Sequence, residues 1–196
     1  MLRAMTAQST TMTLEEWYAL DEEVEGELVD GILVEEEVPS CLHEVVVSWL
    51  TRALGNWLDD KGWIIGSEAK FAVLPRRGRK PDLSVFLPGR RPPALGLVRI
   101  PPDIIIEVIS PDPRDERRDR VDKYEEYAAF GARWYWLVDP KLRIFEICEL
   151  GDGGRYTRAL AVTDGRIESV PGCRGLALDV AKLWARLDEL EAEGDG

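Results

Sequence analysis

The sequence predicts a single α/β domain with a central mixed β-sheet flanked by helices. Three observations carry that prediction. Short apolar runs rich in β-branched residues, 83–87 and 104–109 foremost, read as strands covered on both faces. Between such runs, apolar residues recur at three- and four-residue steps, the signature of helices with one buried stripe. No repeat or linker divides the 196 residues, a length that suits one domain with a substantial core.

Taken in order, residues 1–12 are polar and expected to be flexible. Thr13-Leu14-Glu15-Glu16 fits a capping box, with Thr13 as N-cap and Glu16 reaching back to it. A short helix to about Leu20 follows. Residues 25–37 read as a hairpin around Asp30-Gly31, which suits a type I′ turn because both central residues tolerate positive φ. Pro39-Ser40 opens a helix whose stripe runs through Val46, Trp49, Leu50, Ala53, Leu54, Trp57 and Leu58, with Gly62 as its stop. Strands are predicted at 63–65, 70–74, 83–87 and 104–109. The Pro-, Gly- and Arg-rich segment 88–102 reads as a loop, either mobile or substrate-facing. A helix over 115–130 ends at Gly131, then strands at 133–138 and 143–149 flank Asp139-Pro140-Lys141. Gly151-Asp152-Gly153-Gly154 makes a further hairpin turn, and a helix over about 180–191 closes the chain.

Composition narrows the function. Three cysteines, Cys41, Cys148 and Cys173, form no C-x-x-C pair, which fits reduced thiols better than a disulfide framework or a zinc site. The first twelve residues lack an apolar signal region, and no apolar stretch approaches a membrane span. A soluble, cytoplasmic protein is expected. The net charge of −12 argues against a polyanionic partner until its distribution is read. Residues 70–123 hold 13 basic and 8 acidic side chains, so a locally positive third interrupts an acidic chain. Arg76, Arg77, Arg79 and Lys80 are the candidate nucleic-acid contacts there, against the plainer reading of a solvated basic loop.

Asp82 and Glu107 are the residues most in need of explanation. Glu107 stands inside Asp103-Ile104-Ile105-Ile106-Glu107-Val108-Ile109, and Asp82 heads Pro81-Asp82-Leu83-Ser84-Val85. An ionised carboxylate on a covered strand is costly unless a cation compensates it. Two such acids, followed by a helix bearing Lys123, suit metal-assisted phosphodiester hydrolysis with Mg²⁺ or Mn²⁺. Asp119 and Lys123 are four apart and share a helix face. Glu27, on a short hairpin strand, reads as a site residue or as a solvent-facing acid. His43, the only histidine, reads as a phosphate or proton contact or as a structural residue. Tyr124 and Tyr127 line either the cleft or the core. Ser110-Pro111 ends a strand and carries no chemistry.

Pro81-Asp82 followed by a strand carrying Glu107 resembles the PD-(D/E)xK nuclease superfamily. More closely, the chain resembles the Uma-two family of restriction endonucleases. The matching stretches are Met12-Thr13-Leu14-Glu15-Glu16, Gly26-Glu27-Leu28-Val29-Asp30-Gly31, His43 at the head of a helix and Pro81-Asp82-Leu83. They continue through Ile106-Glu107-Val108-Ile109-Ser110-Pro111, Asp119, Lys123, Tyr124 and Tyr135-Trp136-Leu137-Val138-Asp139-Pro140. The resemblance covers roughly residues 12–150, leaving 151–196 as a C-terminal extension. It implies a restriction-endonuclease-like fold and a Mg²⁺-dependent endonuclease, with DNA as the expected substrate and a homodimer if both strands of a duplex are cut. Asp82, Glu107 and Lys123 are the implied catalytic residues, Asp82 and Glu107 the metal ligands, and Glu27, His43 and Asp119 additional site residues.

One position departs from the superfamily pattern. The lysine of E-x-K would stand at 109, where this chain has Ile109, and the resemblance implies that Lys123 takes its role. The rival reading is a non-catalytic module, binding nucleic acid or protein, that retains the fold. A hydrolase of small phosphorylated compounds is a third. No G-x-x-x-x-G-K-[ST] loop is present, which argues against an ATP-driven activity.

Overall fold

The computed structural model describes residues 11–21, 23–35, 38–110 and 117–193. The expected flexibility of residues 1–10, the end of the hairpin at 36–37, Pro111 and the helix start at 115–116 lie outside the described residues. The capping box forms: the Glu16 N–H donates to Thr13 Oγ1 at 3.2 Å and the Thr13 N–H to Glu16 Oε2 at 2.7 Å. Helix α1 (Leu14–Tyr18) follows. Strands β1 (Glu27–Val29) and β2 (Ile32–Val34) pair antiparallel across Asp30 and Gly31, whose φ of 53° and 84° match the expected turn. Helix α2 (Cys41–Leu58) is capped by Ser40 and ends at Asp59 in the left-handed conformation, earlier than the stop read at Gly62.

The remaining strands are β3 (Trp63–Gly66), β4 (Phe71–Leu74), β5 (Arg77–Arg79), β6 (Leu83–Phe86) and β7 (Ile104–Val108). A π-helical turn, Arg118–Asp122, leads into α3 (Lys123–Phe130), which Gly131 closes at φ 94°. β8 (Trp134–Asp139), β9 (Ile144–Leu150), β10 (Tyr156–Val162), β11 (Arg166–Ile167), β12 (Leu178–Asp179) and α4 (Val180–Glu193) complete the chain.

Six strands form the central mixed sheet in the order β10-β9-β8-β7-β6-β3, with β7 and β8 parallel and every other neighbouring pair antiparallel. Along β7 the side chains alternate between faces. Ile104, Ile106 and Val108 join the cluster built on Leu50 and Leu54 of α2 and Leu183 of α4. Ile105 and Ile109 join Phe71 of β4 and Tyr127 of α3 on the other face. Glu107 has the parity of the second set and so faces α3. The sheet is therefore flanked by helices on both faces, as expected.

Two features differ from the sequence reading. Residues 77–79, read as part of a basic loop, form β5 at the centre of a second sheet, β2-β1-β5-β4. Residues beyond 150 do not stand apart as an extension: β10 pairs with β9 in the central sheet, and α4 packs against α2. No helix among the described residues is long and apolar enough to cross a membrane.

Candidate functional site

β6 and β7 pair with Leu83 opposite Ile106, a register that brings Asp82 opposite Glu107 one step further on. Position 81, opposite Val108 on the same register, is proline and has no N–H to give the ladder. The Val108 N–H donates instead to Asp82 Oδ2 at 2.6 Å. The end of the ladder is thus opened by Pro81 and closed by a carboxylate.

α3 supplies the opposing wall. Lys123 Nζ lies 3.0 Å from Glu107 Oε2, 3.1 Å from Asp119 Oδ1 and 3.6 Å from Glu27 Oε1. One turn on, Tyr127 Oη donates to Glu107 Oε1 at 2.6 Å. All five side chains are buried. Burial works against the Lys123 ammonium, but Asp119, Glu107 and Glu27 outweigh it and hold the group well above the ordinary lysine range. Burial raises Glu107 well above the usual carboxylate range, with Asp82, Asp119 and Glu27 adding to it against the pull of Lys123. Asp119 is raised in the same way, by burial first. Glu27 moves the other way: burial is overcome by Lys123, Arg79 and Arg118, which bring it down to about 2. Burial and mutual repulsion disfavour the charged forms of Glu107 and Asp119, which a further cation would offset.

A cleft of about 140 Å³ exposes this cluster, with Asp82, Glu107, Asp119, Lys123, His43 and Lys80 among its lining. His43 Nε2 lies 3.1 Å from Asp82 Oδ2, and Nδ1 3.3 Å from Glu44. Burial lowers the imidazole, yet Asp82 and Glu44 raise it on balance. The candidate residues Asp82, Glu107, Lys123, Asp119 and His43 therefore meet at one cleft, with Glu27 buried behind it. Glu27 is not the solvent-facing acid of the alternative reading. Of the two tyrosines, Tyr127 reaches the site, whereas Tyr124 turns to the carbonyl of Tyr156 at 3.0 Å.

The basic run is corrected more heavily. Arg79 is fully buried, so it is no surface contact for nucleic acid. Its guanidinium donates to Glu27 at 2.6 Å and to both oxygens of Glu126 at 2.6 and 2.7 Å. Arg77 binds Asp30 and Glu126, and Arg76 binds the Asp30 carbonyl. Lys80 alone of the four lines the cleft. Sequence reasoning missed Glu126 and Arg118. Glu126 was within reach, because it stands three residues after Lys123 on one helix face. Arg118, which lines the cleft 3.7 Å from Glu27, carried no local signal.

The model of the Uma2 family, described as "Putative restriction endonuclease", matches residues 13–181. The chain belongs to this family. The Uma2 match runs past residue 150 through β10 and into α4, in keeping with the pairing of β10 in the central sheet. A solved structure from Anabaena variabilis ATCC 29413, described as a putative nuclease belonging to DUF820, superposes with a TM-score of 0.70. It is 20% identical in sequence, over 90% of this chain and 99% of that one, and bears out the fold. No curated protein matches the chain.

Proposed function

We propose that this Uma2 member is a Mg²⁺-dependent endonuclease, with Mn²⁺ as substitute, that hydrolyses phosphodiester bonds of nucleic acid, DNA being the expected substrate. The observation that carries the reading is the Lys123–Glu107 pair, 3.0 Å apart, at a cleft that Asp82 also lines. Ile109 keeps the face that the superfamily lysine would use but lies in the apolar cluster. Lys123 brings an ammonium to Glu107 from the neighbouring helix instead.

The donors suit such an ion. Asp82 and Glu107, which both line the cleft, offer hard carboxylate oxygens. Among the described residues no group of three or more His, Cys, Asp or Glu side chains is placed to hold a metal ion. Mg²⁺ commonly takes one or two carboxylates and keeps several waters, so this set fits it. Each oxygen of Glu107 accepts one hydrogen bond and retains a second lone pair. When bound, the ion would supply a water of lowered pKa and neutralise charge on the phosphate.

The chain's own groups do the rest. Lys123 donates toward charge developing on the attacked phosphate, Tyr127 fixes the Glu107 carboxylate, and His43 with the Val108 N–H fixes Asp82. Lys80 and Arg118 give the cleft positive charge for flanking phosphates. The free thiols Cys41, Cys148 and Cys173 fit a reducing cytoplasm. Cutting both strands of a duplex would favour a homodimer.

The test is cleavage of single- and double-stranded DNA and RNA with Mg²⁺ or Mn²⁺, wild type against Lys123→Ala. Metal-dependent cutting by wild type, lost in the variant, is expected. Absence of cutting on every substrate would favour the second reading, a non-catalytic binding module, which Ile109 at the usual lysine position supports.

A further inference from the structure

Lys123 brings one positive charge to three carboxylates, and the distances show which ones it serves most closely. Glu107 and Asp119 lie at 3.0 and 3.1 Å, Glu27 at 3.6 Å. Glu27 is held back because its oxygens are engaged elsewhere. Oε2 accepts from Arg79 Nη1 at 2.6 Å, and Oε1 from the Lys80 N–H at 3.0 Å. The same guanidinium grips both oxygens of Glu126, three residues along α3 from Lys123. Arg79 therefore ties the strand that carries Glu27 to the helix that carries Lys123, with one planar fork that a lysine could not reproduce.

We infer that Arg79 is a positioning residue for the proposed reaction: by occupying Glu27 and Glu126 it leaves the Lys123 ammonium to Glu107 and Asp119. The assignment rests on the nuclease reading for its kinetic consequence and on these distances for its structural one. Without Arg79, a buried Glu27 would lose its shortest ion pair, 2.6 Å long, and Lys123 at 3.6 Å and Arg118 at 3.7 Å are the cations placed to replace it. The ammonium would be drawn off Glu107, and the transition state would lose a donor. Glu27 does not line the cleft, so the proposed metal rests on Asp82 and Glu107.

The experiment compares wild type, Arg79→Met, and Arg79→Met combined with Glu27→Gln. Each is assayed for kcat and KM on nucleic acid with Mn²⁺, and for Mn²⁺ affinity by calorimetry. In Arg79→Met, kcat falls about tenfold to a hundredfold, the scale of a displaced catalytic group, while Mn²⁺ affinity and KM hold. The double variant recovers most of the loss, because a neutral residue 27 no longer attracts Lys123. Unchanged kcat in Arg79→Met, or a double variant as slow as the single, overturns the assignment. Should Arg79→Met fail to fold, Arg79→Gln, which also removes the cation, gives the same comparison with and without Glu27→Gln. Should wild type cut nothing, the nuclease reading fails by itself and the side-chain NMR signal of Lys123 decides the positioning. A signal displaced in the single variant and restored in the double supports it; an unmoved signal overturns it.

Discussion

Lys123 Nζ and Glu107 Oε2 lie 3.0 Å apart although one residue sits on a helix and the other on a central strand. Lys123 is the charge that this depth cannot lose, because Glu107, Asp119 and Glu27 all face it. Leaving buried charge without its partner typically costs about 3–5 kcal/mol, so the ammonium is a structural commitment as well as a chemical one.

Lys123→Ala is expected to lower cleavage on the order of a hundredfold or more, the usual scale for removing a transition-state donor. It also leaves Glu107, Asp119 and Glu27 facing one another, so the melting temperature falls. Mn²⁺ should restore part of that loss by supplying the missing positive charge. Single-turnover cleavage and thermal unfolding with and without Mn²⁺ check both halves; cutting at the wild-type rate would remove Lys123 from the mechanism.

Glu107→Gln is expected to weaken Mn²⁺ binding and to raise the melting temperature of the metal-free protein. The folded-state value of Glu107 lies well above the ordinary 4.5, with burial as the largest cause. Its proton is therefore favoured in the folded chain, and that contribution is lost as pH rises from 4.5 through the raised value. The advantage of Glu107→Gln over wild type should grow across that window. Thermal scans at several pH values, with Mn²⁺ calorimetry, test it; an advantage that shrank with pH would contradict the assignment.

Glu27 carries the opposite sign. Its value falls from 4.5 to about 2, so its contribution is present above 4.5 and lost as pH drops through 2. A shift of that size corresponds to roughly 3 kcal/mol at neutral pH. Glu27→Gln should therefore be less stable than wild type at pH 6 and lose its disadvantage near pH 2. Urea unfolding along that range measures the convergence.

Gly78→Ala probes the second sheet. A Cβ at position 78 would stand 2.2 Å from the ring of Trp17, whose Nε1 donates to the Gly26 carbonyl at 3.0 Å. Overpacking of this kind costs about 1–3 kcal/mol. Because β5 also carries Arg79, cleavage should fall along with the denaturation midpoint, whereas an unaltered midpoint would mean that Trp17 yields freely.

Much of this was legible in the sequence because its signals are local. The capping box, the Asp30-Gly31 turn and the stripe of α2 each need only a few neighbouring residues to be read. Asp82 and Glu107 betrayed themselves as charges among β-branched neighbours. Arg77-Gly78-Arg79 was not legible, since a strand of two charges and a glycine has no apolar alternation. It becomes a strand only because Trp17 covers Gly78, and because Glu27 and Glu126 neutralise Arg79 from 52 and 47 residues away. Long-range pairing of that kind leaves no periodic trace.

The π-helical turn before α3 sets how evolution can edit this region. The Lys123 N–H reaches back five residues to the Arg118 carbonyl, one more than an α-helix would span. Losing or gaining a single residue there would rotate everything after it by roughly 100°, swinging Lys123 and Tyr127 off Glu107 together. A substitution at the exposed Val121 can be absorbed, but a one-codon insertion or deletion would dismantle the cleft in a single step. Length, as well as the identity of Asp119, is what this segment must preserve.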